Sequence, residues 1–115
     1  MDPVSAALIT KSLDGLALRL DVTASNIANA NSRNFRPSQV SFEDSLRTAA
    51  NQGLDAIAAV KPRVEPMAAG RFGDEPRTDL ELDTATATAG RYSALVEILG
   101  RELDISRTVI RGGQQ

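Results

Sequence analysis

Along the first quarter of the chain, apolar residues recur in alternating steps of four and three. They are Ile9, Leu13, Leu16, Leu20 and Ile27, with Thr23 filling the gap. This is the a/d spacing of a coiled-coil seam. Ala6 and Ala30 extend it at both ends, and the pattern predicts an amphipathic helix over residues 3–31. Asp2 and Pro3 suit an N-cap and a first helical residue. Gly15 lies inside at a cost of about 1 kcal/mol relative to Ala. Such a helix is roughly 40 Å long. Its last turns are rich in Asn, at positions 26, 29, 31 and 34, although Asn amides compete for backbone hydrogen bonds.

A second helical pattern closes the chain. Tyr92, Leu95, Val96, Leu99, Leu103, Val109 and Ile110 fall on one broad face, and Gly112 and Gly113 offer a stop. The predicted helix covers residues 79–111. Thr78 and Glu81 resemble a capping box, but the run DLELDTATATA also alternates with period two, so its start reads as either strand or helix. Gly100 is a weak point unless a neighbour packs close.

Residues 32–78 are different in kind and are expected to be flexible and mostly irregular. They hold Pro37, Pro62, Pro66 and Pro76. SFEDSLRTAANQG reads as one short helix, with Ser41 as cap, Asp44 three residues on and Gly53 as stop. AVKPRVEP is restricted by its prolines to an edge or irregular strand. AAGRFGDEPR reads as a mobile loop. The fold expected is mainly α, a single domain over residues 1–115. Its terminal helices pair as a coiled coil, either antiparallel within one chain or between subunits.

Composition sharpens this picture. Among 115 residues there are three Phe, one Tyr and no Trp. Large aromatics carry much of the burial in small cores, so the chain is expected to need partners or to be loose as a monomer. Apolar seams without a second covering layer leave surface for other subunits. The net charge of −2 argues against nucleic acid as a partner, and Arg33, Arg36, Lys61 and Arg63 are too sparse for a phosphate-binding patch. Without Cys or His, thiol chemistry, disulfides and the commonest general base and metal ligand are lost together. Asp79, Glu81 and Asp83 lack the glycine turn of a calcium loop, and Glu43 and Asp44 point apart on a helix. No enzyme, cofactor, metal or small-molecule substrate is expected. Asp2, Lys11, Asp14 and Arg19 interrupt the N-terminal apolar run, so it does not read as a secretory signal.

The stretch LDVTASNIANANSRNF resembles the N-terminal signature of flagellar axial proteins of the rod and hook class, with ASNIANAN as its core. GRYSALVEILGRELDISRTVIRGG is similar to the end of the proximal type of rod protein. Ser32-Arg33-Asn34-Phe35 replaces the family's usual Thr-Pro-Gly-Tyr turn, with Asn34 standing where Gly supplies a left-handed conformation. The resemblance implies a structural subunit of the flagellar basal-body rod. It would be made in the cytoplasm, exported by the flagellar type III apparatus without a cleaved signal, and oligomeric only in the periplasmic rod. Its implied partners are other rod subunits, the proteins joining rod to membrane ring, and the export gate.

The expected packing residues are Leu13, Leu16, Leu20, Ala24, Ile27 and Ala28 from the first helix. Tyr92, Leu95, Val96, Leu99, Leu103 and Ile110 are those from the second. Ser25, Asn26 and Asn29 form a polar group that either sets register between subunits or merely frays a helix end. Phe42 and Leu46 fit the Phe-x-x-x-hydrophobic spacing implied for export-gate recognition, and equally an ordinary amphipathic helix. The alternative is a small cytosolic helical-hairpin adaptor or chaperone with the same seams.

Overall fold

A computed structural model describes residues 1–68 and 77–113 of the chain. Most of the loop expected over AAGRFGDEPR, residues 69–76, and the side chain of Val109 lie outside the described residues. Helix α1 spans Pro3–Ala28. Strand β1 follows at Ser38–Ser41, then the short helices α2 at Glu43–Ala50 and α3 at Leu54–Ala59. Strand β2 at Arg63–Pro66 precedes the long helix α4 at Thr78–Gly113.

The ends of the helices follow local chemistry. Asp2 caps α1 by accepting the Ser5 amide at 2.8 Å, with Pro3 at the first position. The helix stops at Ala28, short of the expected residue 31. Asn29 is the C-cap, and its side chain donates back to the Ser25 carbonyl at 2.8 Å. The chain then turns through Asn34, whose φ of 64° is the left-handed conformation expected there. Helix α4 starts at once with Thr78, so the alternating TATATA run is helical. Glu81 makes no capping box, because its carboxylate accepts from Asn26 instead. The helix runs through Gly112 to Gly113, two residues past the expected residue 111.

The middle segment holds more order than one short helix. Gly53, at φ 104°, turns the chain between α2 and α3, and Phe42 stands at the N-cap of α2 in place of Ser41. β1 and β2 pair antiparallel, Ser38 opposite Pro66 and Val40 opposite Val64. The Met67 amide donates to the Pro37 carbonyl at 2.9 Å. By the alternation of an antiparallel ladder, the backbone groups of Ser38 and Val40 therefore point away from β2. Those of Val64, Pro62 and Pro66 point away from β1, where two prolines blunt the edge.

The core lies where this segment meets α1. Leu16, Val40, Phe42, Leu46, Ala49, Ile57 and Val60 are buried, with Ile57 alone fully enclosed. Val4, Leu8, Leu18 and Val22 of α1 pack against them. The segment thus supplies the covering layer that the seam pattern left missing on this side. α1 and α4 pair antiparallel within the chain. Asn26 meets Glu81 at one end, and the Met1 amine meets Glu102 at 3.0 Å at the other. Among the described residues no helix is long and apolar enough to cross a membrane.

Candidate subunit interface

Three α1 residues, spread over about three turns, tie the middle segment down. At Gly15 the Phe42 ring lies so close that an added Cβ would sit 2.5 Å from it. Arg19 stands over the same ring, 5.0 Å from its centroid. Its guanidinium donates to both Glu43 carboxylate oxygens, at 2.6 and 2.8 Å, and to the Val40 carbonyl at 2.8 Å. Asn26 accepts from the Ser38 amide at 3.1 Å and donates to the Ser38 carbonyl at 2.8 Å. Arg19 and Asn26 therefore occupy the outer edge of β1, as a neighbouring strand would. Arg19 holds the Glu43 carboxyl below the ordinary carboxylate range, chiefly through its hydrogen bonds. The Asp2 carboxyl is lowered by the Ser5 amide, and that of Asp79 by Arg77.

Apart from Gly100, the covered positions on α4 are Glu81, Ala85, Thr88, Tyr92, Leu95, Leu99 and Glu102. Their steps are four and three throughout, the seam of a heptad repeat. One position further round lie Leu82, Val96, Leu103 and Ile110, all exposed. On α1, Leu13, Leu20 and Ile27 are half-buried and stay outside the core cluster. At about 100° per residue they sit roughly a third of a turn from Gly15, Arg19 and Asn26. The α1/α4 pair therefore has one face covered by the middle segment. Off that face lie a half-buried apolar row of α1 and exposed apolar residues of α4.

The packing residues expected from the sequence divide accordingly. Leu16 is buried inside the chain, and Tyr92, Leu95 and Leu99 are half-buried on the α1/α4 seam. Val96, Leu103 and Ile110 are exposed, as are Ala24, Ser25 and Ala28. Asn26 is buried and committed to Ser38 and Glu81, while Asn29 is occupied by Ser25 within its own helix. Phe42 and Leu46 are both buried in the core. Sequence reasoning missed Gly15, Arg19 and Glu81. A glycine in mid-helix was the one available signal, since it marks close approach by another group.

Among the described residues no three potential ligands gather as a metal site. A shallow groove of about 330 Å3, floored by Leu16, Phe42 and Leu95 and flanked by Arg91 and Glu43, is open and largely apolar. It offers no convergent polar groups for a substrate.

The sequence model of the family described as flagella basal body rod protein matches residues 13–36. The match runs from Leu13 through the Asn-rich end of α1 and its turn. It supports the flagellar rod protein family, and with it a structural role in the basal-body rod and association with other rod components at the flagellum. No curated protein matches the chain.

Proposed function

We propose that this chain is a structural subunit of the bacterial flagellar basal-body rod, of the proximal type, that assembles through α1 and α4. The observation that carries the proposal is the family match over residues 13–36, which includes the half-buried α1 row Leu13, Leu20 and Ile27. A half-buried apolar row on α1 and the exposed Leu82, Val96, Leu103 and Ile110 on α4 support it, because apolar side chains left open to solvent favour an interaction site. Contacts between unlike surfaces propagate as a helical stack when they do not close into a ring.

The subunit would leave the cytoplasm unfolded through the flagellar type III export gate, without signal cleavage. Phe42 and Leu46 would serve there as the recognition element. Both are buried once the chain folds, so that element would be readable only in the unfolded chain. Phe42→Ala would then lower the secreted fraction without lowering expression.

Deleting the gene and imaging basal bodies tests the assignment. Loss of motility, with the rod missing above an intact membrane ring, is the expected result. An intact rod would favour the helical-hairpin adaptor instead.

A further inference from the structure

α4 outruns its partner. Glu102 reaches the Met1 amine, and from Leu103 to Gly113 the helix continues for roughly 16 Å with nothing beside it among the described residues. Leu103 and Ile110, one heptad apart, are more than half exposed on this extension. The half-buried row on α1, Leu13, Leu20 and Ile27, has the same seven-residue step. Rows of equal step interlock along helices that cross at a shallow angle. Leu82 and Val96 of α4 are exposed as well.

Charge matches as well. Asp14 and Asp21 border the α1 row, are exposed, and have no ion-pair partner among the described residues. Arg107 and Arg111 border the apolar row of the extension and are likewise exposed and without a partner there.

We infer that the α4 extension of one copy of this chain docks on the Leu13–Leu20–Ile27 row of a second copy, with Arg107 and Arg111 facing Asp14 and Asp21. The contact joins unlike surfaces, so each docked copy presents a fresh row and a fresh extension. This rests on the reading of the chain as an assembling subunit and names the two surfaces that meet.

The chain has no cysteine, so introduced thiols report cleanly. Within one copy Leu20 and Leu103 are separated by roughly 24 Å along the helix axis, beyond the reach of a disulfide. The full-length chain carrying both Leu20→Cys and Leu103→Cys is concentrated and oxidised. A covalent ladder extending past the dimer is expected, while each single variant, with a thiol on only one side of the contact, stays monomeric. A double variant that yields nothing beyond dimers overturns the inference, as does efficient dimerisation of the Leu103→Cys variant alone.

Charge exchange gives an independent readout by sedimentation velocity. Asp21→Arg weakens self-association several-fold, and adding Arg107→Asp to the same chain restores it. Failure of that restoration counts against the pairing. A ladder from a chain whose deletion leaves the rod intact would keep this contact and reject the rod assignment. A missing rod without a ladder would do the reverse.

Discussion

Asn26 and Glu81, 55 residues apart in sequence, share a buried hydrogen bond of 3.1 Å that joins the end of α1 to the start of α4. The same Asn26 amide satisfies both backbone groups of Ser38. One side chain thus fixes three elements relative to one another. Among the described residues, no buried side-chain nitrogen or oxygen lacks a partner.

Asn26→Ala removes all three bonds and leaves buried Glu81 and half-buried Ser38 without them. An unsatisfied buried group costs about 1–3 kcal/mol, so chemical denaturation should register a loss of about 2–4 kcal/mol. Asn26→Asp keeps the shape but sets a second carboxylate against Glu81. Glu81→Gln, which retains an acceptor, should cost least of the three.

Two glycines of the long helices should respond with opposite sign. A Cβ at Gly15 meets the Phe42 ring at 2.5 Å, whereas one at Gly90 meets nothing within 4 Å. Gly90→Ala should stabilise the chain by about 1 kcal/mol through helix propensity, a rise of about 4 °C in Tm. Gly15→Ala gains the same propensity but overpacks the site by about 1–3 kcal/mol. Its Tm should therefore fall, and the paired melting curves separate packing from propensity.

The Arg19–Glu43 pair sets an acid limit on the middle segment. Because the folded-state pKa of Glu43 lies below its ordinary value of 4.5, the stabilisation is present above that value. It is lost as pH falls through the lowered folded-state value. Glu43 is nearly half exposed, so screening keeps the contribution below about 1 kcal/mol. Glu43→Gln should lower stability at neutral pH and flatten its decline in acid, as followed by denaturation between pH 6 and 2.

The helices were legible because their signals are local and periodic: the 4-3 steps from Ile9 to Ile27, the Asp2-Pro3 start, and the Leu-rich face from Tyr92. The middle segment was not. β1 has four residues and one buried apolar side chain, Val40. Its outer edge is held by Arg19 and Asn26, which no strand pattern announces. Glu81 has the spacing of a capping residue, and the competing buried amide of Asn26 wins it. Asn26 itself invited an intersubunit role, yet its three bonds are all made inside the chain. The apolar rows outside the core are a matter of which side of a helix stays uncovered, and that is set by where the middle segment folds back.

Ile27 offers a test in which fold and assembly come apart. It is half-buried and lies outside the core cluster. Ile27→Asp therefore places a carboxylate at the margin of solvent and leaves Leu16, Phe42 and Ile57 undisturbed. The chain should stay soluble, with its Tm lowered by a few degrees at most. On the outer row, however, the same charge would be trapped between apolar side chains of a docked helix. A buried unpaired charge costs several kcal/mol, enough to abolish a contact of this size. The variant should fail to support swimming, and basal-body images should lack the rod. Normal motility in this strain would mean that the row carries no subunit contact.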